Sequence, residues 1–450
     1  MLPPCAFLPA GRAVAVSREP LGPRSPALGA REDGGRVAVA GRAVVRLRPG
    51  KHVPLRAGRP WVYRGELERV EGTPASGDVV AIEDARGGFV AWAFYHETSL
   101  LAARLLTTDP NEQVDEGFLG RRLAAAVAYR RRLLDPVCWE DGGACRLVFA
   151  EADGLPGLVV DRFDHVLVLQ VLTVGIERRL DAVCEQLVAL TGIGDVFARD
   201  DSPVRRLEGL PERVGALRGK PPDAVVVREG GLKLEVNLRA GQKTGHFLDQ
   251  RENRILFGEL VRRLLLAGRA TAAPPEVRVL DAFCHTGGFG LHALAAGATS
   301  ALFVDSQAPA VDAVGRQASL NGLTGWTAER ANAFDLLHEL EREHRRFEAV
   351  VLDPPAFARG RAQLEGAYRG YKEINLRAMR LLAPGGLLCT SSCSQAVSEG
   401  MFEGMLRDAA ADARRRMRVV ARCGASPDHP GLLGADETRY LNCFFLQAVD

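Results

Sequence analysis

The sequence predicts an α/β protein with a small β-rich N-terminal domain, a central α+β domain and a doubly wound C-terminal domain. From about residue 277 onward, apolar runs of strand length alternate with helical patterns and give seven strands. Five of these runs end in a polar side chain: Asp281, Asp305, Asn332, Asp353 and Cys393. Because the carboxyl ends of parallel strands meet at one edge of the sheet, these residues predict a ligand site there.

Composition limits the class of protein. Of the 450 residues, 47% are hydrophobic and 25% are charged, as in ordinary globular domains, and no apolar run approaches the length of a membrane span. The net charge of +2 means that contacts to nucleic acid have to come from local patches. The nine cysteines are scattered and form no C-x-x-C pair, which argues against a disulfide framework and a zinc site. We therefore expect a reducing, cytoplasmic location, no membrane contact and no metal.

Residues 1–42 are rich in Pro, Gly, Ala and Arg and show no periodicity. Such a segment cannot bury a core, so we expect a disordered extension. Its arginines leave organelle import open as an alternative, although Glu19, Glu32 and Asp33 are atypical of an import segment.

Residues 43–112 contain short β runs separated by glycines, and an alternating stretch with a Gly87-Gly88 turn predicts a hairpin within a small barrel. The aromatic residues of this region are interpreted as barrel core rather than as base-stacking platforms; they are Trp61, Tyr63, Phe89, Trp92 and Tyr95. Residues 113–238 predict an α+β domain that begins with a helix over residues 118–135. The basic end of this helix is interpreted as a solvated face, with an RNA-facing stripe as the alternative.

The C-terminal domain, residues 239–450, is organised around the stretch RVLDAFCHTGGFGLHALAAGATSALFVDS, residues 278–306. It predicts a strand, a turn at Thr286-Gly287-Gly288, a helix and a second strand that ends at Asp305. Glycines let a ligand approach the backbone, and a carboxylate at the end of the second strand can accept both hydroxyls of a ribose. The turn lacks the G-x-G-x-x-G pattern of NAD-binding domains, and by itself it fits a packing turn as well as a ligand site.

Two downstream motifs indicate the chemistry. In Asp353-Pro354-Pro355 the prolines hold the chain extended and present the carboxyl group over the predicted pocket. Cys393 leaves the next strand among hydroxyl residues, which makes it a candidate nucleophile. Carbon 5 of cytosine takes a methyl group only after a thiolate adds to carbon 6, while a carboxyl group at N3 and the amine stabilises the developing charge. Cys393 and Asp353 therefore predict methylation of cytosine, with S-adenosylmethionine (SAM) as the methyl donor.

Several motifs, taken in order, resemble one known family: the bacterial-type SAM-dependent large-subunit ribosomal RNA cytosine-5-methyltransferases with an N-terminal PUA domain. The resemblance extends from about Val44 to the C-terminus, and its motifs are PWVYRGELERVEG, EADGLPGLVVDRF, GQKTGHFLDQRENR, LDAFCHTGGFG, FEAVVLDPPAF, YRGYKEIN and SSCS. It implies a PUA β-barrel that binds ribosomal RNA, a central α+β domain and a seven-stranded Rossmann-like class I methyltransferase domain.

The resemblance also assigns roles to residues. Cys393 is implied as the attacking nucleophile, with Asp353 as the second catalytic residue. The implied SAM pocket contains Gln250, Asp281, Phe283, Thr286, Gly287, Gly288, Asp305, Ser306, Asn332, Ala333 and Asp353. Where the family often has a lysine after Asp-Pro-Pro this chain has Ala356, and Asn332 stands in place of an aspartate.

Two other functions compete with this interpretation. An enzyme that methylates a purine amine can also use Asp-Pro-Pro but needs no cysteine. Dependence of activity on Cys393 therefore separates it from a cytosine-5 methyltransferase. A non-catalytic RNA-binding assembly factor would have lost SAM binding. The sequence does not predict the target nucleotide, the base that removes the carbon 5 proton, or the oligomeric state, for which a homodimer is one option.

Overall fold

Four β-sheets contain the twenty strands of the computed structural model, which describes residues 43–241, 243–268, 276–358 and 360–449. The extension predicted over residues 1–42 lies outside the described residues. Within the described part of the chain, no helix is both long enough and apolar enough to cross a membrane.

The first sheet has six strands in the order β2-β6-β5-β4-β1-β3. Its elements are β1 (Val44–Leu47), α1 (His52–Arg56), β2 (Trp61–Tyr63), β3 (Leu67–Glu71), β4 (Val79–Glu83), β5 (Phe89–Tyr95) and β6 (Leu101–Thr107). The predicted hairpin is confirmed, because β4 and β5 pair antiparallel across a turn in which Gly87 has φ +85°. Trp92 and Tyr95 are buried as predicted, whereas Trp61, Tyr63 and Phe89 are only half-buried.

The central sheet has five strands in the order β11-β10-β9-β8-β7. The elements of this region are α2 (Glu116–Leu133), β7 (Ala144–Phe149), β8 (Leu158–Phe163), β9 (Val166–Val171), α3 (Val174–Glu177), α4 (Leu180–Thr191), β10 (Asp195–Asp200), α5 (Val204–Leu207) and β11 (Arg213–Arg218). The basic end of α2 is not a uniformly solvated face. Arg130 is fully buried there and pairs with Asp153 at 2.5 Å, because a buried guanidinium requires a carboxylate partner.

The C-terminal sheet has seven strands, as predicted, in the order β16-β15-β14-β17-β18-β20-β19. Its strands are β14 (Arg278–Ala282), β15 (Ser300–Asp305), β16 (Trp326–Arg330), β17 (Phe347–Leu352), β18 (Leu382–Ser392), β19 (Met417–Cys423) and β20 (Asn442–Ala448). The helices around it are α6 (Arg251–Gly268), α7 (Gly288–Ala295), α8 (Ala308–Leu320), α9 (Ala333–Arg342), α10 (Leu364–Leu381) and α11 (Glu399–Ala413).

The predicted doubly wound sheet of seven strands is confirmed, and its strand pairing is mixed. The strands from β16 to β18 pair parallel, but β20 pairs antiparallel with both β18 and β19. Parallel neighbours need a crossover connection, usually a helix. Residues 424–441, which join β19 to β20, contain no α-helix, so these two strands pair antiparallel.

Helices cover both faces of the sheet. One buried apolar cluster includes Phe257 of α6 and Phe289 of α7, and a second on the other face includes Met379 of α10 and Phe402 of α11. The strand order reverses direction between β14 and β17, and the crevice outside the carboxyl ends of the strands at such a switch point is where α/β proteins bind ligands.

A two-stranded hairpin, β12 (Ala224–Glu229) and β13 (Leu232–Asn237), packs on the C-terminal domain. The backbone N–H of Glu235 donates to Gln317 on α8 at 2.8 Å, and the apolar side chains of the hairpin join the cluster that contains Phe257. The same cluster contains Phe163 and Phe197 of the central sheet, so the hairpin packs against both domains. We expected these strands within the central domain over residues 113–238, and that boundary stays a prediction.

Candidate active site

The carboxyl ends of β14, β15 and β17 open into a cavity of about 740 Å³. Most of the predicted site residues line this cavity: Gln250, Phe283, Thr286, Gly288, Asp305, Ser306, Asn332, Ala333, Asp353 and Cys393. Their positions span more than a hundred residues of sequence, and the parallel register of the strands brings them together.

Asp281 and Gly287 do not line the cavity; Gly287 lies within the glycine turn, and Asp281 lies beneath it. Asp281 is 1% exposed, and its Oδ2 accepts the backbone N–H of Gly290 at 2.8 Å. Its Oδ1 has no hydrogen-bond partner among the described residues. Burial raises the pKa of Asp281 to about 7 against the opposing effect of the Gly290 hydrogen bond, and the charges of Asp353 and Asp305 add to the rise. Asp281 therefore braces the start of α7 from below.

Internal packing also explains why the turn is rich in glycine. Gly287 has φ +85°, a conformation that residues with a side chain rarely adopt. A Cβ on Gly288 would lie 2.5 Å from Cδ of Arg254, and a Cβ on Gly290 would lie 2.3 Å from the ring of Phe303. Packing against Arg254 thus favours glycine at position 288, which also lines the cavity, and packing against Phe303 favours glycine at position 290 within α7.

The side of the cavity next to β15 fits an adenosine. Asp305 is half-buried at the strand end; its Oδ2 accepts the N–H of His285 at 3.0 Å and its Oδ1 that of Gln307 at 2.9 Å. These bonds hold the carboxylate at the cavity wall, where it can accept ribose hydroxyls. The rings of Phe283 and Phe334 lie 6.3 Å apart in the same wall and offer an apolar surface for a base. The residues present therefore fit SAM.

Cys393 and Asp353 lie together on the opposite side. The thiol of Cys393 donates to the carbonyl oxygen of Pro354 at 3.7 Å. Burial raises the pKa of Cys393 to about 11, the charge of Asp353 adds to the rise, and Lys243 opposes it. Burial likewise raises the pKa of Asp353 to about 6, together with the negative charge of Asp249. At neutral pH the resting site therefore holds a thiol rather than a thiolate.

Three further polar residues line the cavity near Cys393, and the sequence did not assign them to the site: Lys243, Asp249 and Tyr440. Oδ2 of Asp249 accepts the Tyr440 hydroxyl at 2.5 Å and lies 3.9 Å from Nζ of Lys243. Burial works to raise the pKa of Asp249, but the charge of Lys243 and other neighbours outweighs it and lowers that pKa to about 2. The density of polar residues in GQKTGHFLDQ could have indicated Lys243 and Asp249. No sequence pattern indicated Tyr440, which lies far along the chain.

Gln250 faces Asp353. Its Nε2 donates to Oδ1 of Asp353 at 2.9 Å and to the hydroxyl of Ser391 at 3.1 Å. Its predicted contact with SAM stays a prediction. In the described residues, no group of three or more His, Cys, Asp and Glu side chains is arranged to hold a metal ion.

Comparison with known proteins places this geometry in a family. Residues 45–108 match the PUA-like domain, and residues 155–442 match the S-adenosylmethionine-dependent methyltransferase family, which covers more than half of the chain. The chain belongs to the SAM-dependent methyltransferase family. The methyltransferase thus uses SAM as its cofactor. Its cavity lies at the switch point between β14 and β17, where the strand order of the C-terminal sheet reverses.

Relatives of the methyltransferase match it over almost their full lengths. Ribosomal RNA large subunit methyltransferase I of Photobacterium profundum is 39% identical over 400 residues, which cover 88% of this chain and 96% of the relative. The protein of the same name from Aeromonas hydrophila is 39% identical over 412 residues, 90% of this chain and 98% of the relative.

Solved structures support the fold of the methyltransferase. A Streptococcus mutans protein described as a SAM-dependent methyltransferase aligns with a TM-score of 0.73 at 16% identity and covers 90% of this chain and 99% of its own. A structure described as a methyltransferase complexed with SAH, SMU.776, aligns with the same score and coverage. At this identity the likeness concerns the fold alone.

Proposed function

We propose that this methyltransferase transfers a methyl group to carbon 5 of a cytosine in large-subunit ribosomal RNA through a covalent adduct with Cys393. The observation that carries the proposal is the presence of the Cys393 thiol and the Asp353 carboxyl group in the same cavity as the SAM-side residues. Methylation of an exocyclic amine does not need a thiol at this position. The names of the relatives support ribosomal RNA as the substrate.

The RNA has to present its target base outside the helical stack, because neither Cys393 nor the methyl donor can reach a stacked base. Bound SAM supplies an electrophilic methyl group. Cys393 adds to carbon 6, and Asp353 hydrogen-bonds the edge formed by N3 and the exocyclic amine, where negative charge develops. Lys243 stabilises the thiolate by its positive charge, since its effect is to lower the pKa of Cys393. Loss of the carbon 5 proton then releases the thiolate.

The PUA-like domain and basic residues around the cavity are proposed to hold the folded RNA. Because the net charge is only +2, RNA affinity should depend on a few local contacts and should fall with salt by a modest slope. That domain sets the position of the RNA, and the cavity selects the base.

Methyl transfer to unmodified large-subunit ribosomal RNA tests the proposal. Wild type, Cys393→Ala and the control Cys423→Ala are incubated with SAM, and the modified nucleoside is identified by mass spectrometry. We expect 5-methylcytidine from wild type and control and none from Cys393→Ala. RNA with 5-fluorocytosine at the target should give a stable adduct that requires Cys393, because the fluorine cannot leave as a proton does. Full activity of Cys393→Ala would contradict the proposal and indicate an amine-directed enzyme.

A further inference from the structure

We infer that Gln250, held by Asn253 and the backbone of Gly424, fixes which oxygen of Asp353 can carry a proton, and that this selects cytosine over uracil. Gln250 and Asn253 are positioning residues that act through Asp353. The inference rests on the proposed function, because it assigns the cavity a pyrimidine as its target base.

A hydrogen-bond relay leads to Asp353 from the backbone. Nδ2 of Asn253 donates to the carbonyl oxygen of Gly424 at 3.0 Å and to Oε1 of Gln250 at 2.6 Å. Nε2 of Gln250 then donates to Oδ1 of Asp353 at 2.9 Å and to Oγ of Ser391 at 3.1 Å. Asn253 and Gln250 are 2% and 3% exposed, so water has little access to this relay.

The direction of the relay is determined at its first member. An amide side chain can often rotate by 180° with little change of shape, but a backbone carbonyl oxygen only accepts hydrogen bonds. Gly424 therefore requires the NH₂ group of Asn253, and the second hydrogen of that group requires the oxygen of Gln250. The NH₂ group of Gln250 is left to face Asp353, so Oδ1 of Asp353 has to be an acceptor.

It follows that a proton on Asp353 resides on Oδ2. A protonated Oδ1 would be a weaker acceptor for the NH₂ group of Gln250 and would weaken the 2.9 Å bond, which favours the proton on Oδ2. Protonation is accessible near neutral pH, because burial and the charge of Asp249 raise the pKa of Asp353 to about 6. The other titratable or charged groups that influence Asp353 or respond to its charge are Lys243, Arg254, Asp281, Cys389 and Cys393.

A carboxylic acid in this orientation is complementary to cytosine. Cytosine presents N3 as an acceptor beside the donor N4–H₂, so Oδ2–H can donate to N3 while Oδ1 accepts from the amine. Uracil presents the opposite pattern, N3–H beside an acceptor O4, and would leave donor facing donor and acceptor facing acceptor. A site built to hydrogen-bond one pattern discriminates strongly against the other, because its polar groups are left without partners.

The same proton takes part in the addition step. Cys393 reacts as its thiolate, after its proton has passed to water. As the Sγ–C6 bond forms, the electron pair of C5=C6 moves to C4–C5 and the pair of C4=N3 moves to N3. N3 receives the proton from Oδ2, which leaves Asp353 as a carboxylate. Once the C4–C5 pair has formed the bond from C5 to the methyl group, the pair on N3 restores C4=N3 and N3 gives the proton back to Oδ2. A base then removes the C5 proton, the pair of the C5–H bond forms C5=C6, and Cys393 leaves as a thiolate.

The titration of Asp353 tests the relay without any need for turnover. The carboxyl carbon of Asp353 is followed by NMR in full-length protein carrying ¹³Cγ-aspartate, and its signal is assigned by its loss in Asp353→Asn. Gln250→Leu removes the donor to Oδ1 and should raise the midpoint by about 1 pH unit. Asn253→Leu should shift the midpoint in the same direction, and it serves as a second test should Gln250→Leu fold poorly. The control Ser391→Ala removes the other acceptor of the same NH₂ group and should cause a clearly smaller shift.

Base discrimination is the second readout. The ratio of kcat/KM for RNA with cytosine at the target to that with uracil should fall at least about tenfold in Gln250→Leu. The inference would be overturned if the titration midpoint of Asp353 is unchanged in both leucine variants, or if kcat/KM falls by the same factor on the cytosine and the uracil RNA. If the midpoint shifts but the protein forms no 5-methylcytidine that depends on Cys393, the proposed function is wrong and so is the inferred selection of cytosine. The titration would in that case still establish the hydrogen-bond relay to Asp353.

Discussion

Cys393 is a weak nucleophile at rest, because burial and the charge of Asp353 raise the pKa of its thiol to about 11. Only the thiolate reacts with alkylating agents, so the alkylation rate should rise with pH up to about 11. Lys243→Met removes a positive charge that favours the thiolate and should slow alkylation at every pH below that value. Mass spectrometry of the Cys393 peptide after timed iodoacetamide treatment measures both effects. Lys220→Met, on the surface, is the control, and fast alkylation independent of pH between 6 and 9 would contradict the expectation.

Asp281 should make stability depend on pH. Its folded-state pKa of about 7 lies above the ordinary value for aspartate, so its contribution to stability is complete below about pH 4 and is lost as pH rises through 7. Asp281→Asn keeps an acceptor for the N–H of Gly290 but never ionises. The variant should therefore gain stability relative to wild type between pH 5 and pH 8. Urea unfolding at pH 5 and pH 8 measures the difference in the free energy of unfolding between variant and wild type. An equal difference at the two pH values would contradict the raised pKa of Asp281.

At the scale of elements, a buried ion pair fastens the β12–β13 hairpin to the methyltransferase domain. Glu229 at the end of β12 accepts two hydrogen bonds of 2.6 Å from Arg254 on α6 and is 4% exposed. Burial works to raise the pKa of Glu229, but the charge of Arg254 and its neighbours holds it well below its usual range. Both groups are therefore charged, and each depends on the other.

Replacing Arg254 by methionine should consequently lower the free energy of unfolding by about 3–5 kcal/mol, because it leaves a buried carboxylate without its guanidinium partner. Urea unfolding monitored by circular dichroism measures the loss. The control is Arg239→Met, whose 2.7 Å pair with Asp223 is exposed and should change stability by less than about 1 kcal/mol. Equal effects of the two substitutions would show that burial of the pair is not decisive.

For the molecule as a whole, a buried apolar cluster and buried ion pairs together join the PUA-like domain to the central domain. Arg104 on β6 donates to Glu151 at 3.0 Å and to Glu208 at 3.2 Å, and Nε1 of Trp61 also donates to Glu151 at 3.2 Å. One guanidinium thus bridges two carboxylates of the central domain, and Trp61 contributes to this junction rather than to a base-stacking surface.

Arg104→Met should lower the melting temperature and weaken RNA binding while leaving the affinity for SAM unchanged, since the cavity is formed by the C-terminal part of the chain. Thermal unfolding, RNA binding and calorimetry with SAM measure the three quantities. Arg69→Met is the control, because Arg69 is 56% exposed and pairs with the exposed Glu71. A matching loss of SAM affinity would contradict the view that the junction affects only the position of the RNA.

Local pattern accounts for what could be predicted at each scale. Apolar periodicity gave the seven strands, and the polar residues that end them, such as Asp305 and Asp353, follow from the rule that parallel strands share a carboxyl edge. The antiparallel placement of β20 was missed because pairing of the last strands depends on neighbours distant in sequence. Tyr440 was missed for the same reason: it comes from the loop before β20 and meets Asp249 across 191 residues.

Short-range patterns were enough to predict the fold class, the order of elements and the residue types available for methyl transfer, because side-chain periodicity and turn chemistry act over a few residues. The tertiary structure alone decided which groups share the cavity, that Asp281 lies beneath the glycine turn, and which way the amide of Gln250 faces. The tertiary structure also sets the pKa values of these groups: those of Cys393 and Asp353 are raised and that of Asp249 is lowered. Burial and charge act through space, so residues far apart in sequence set them together.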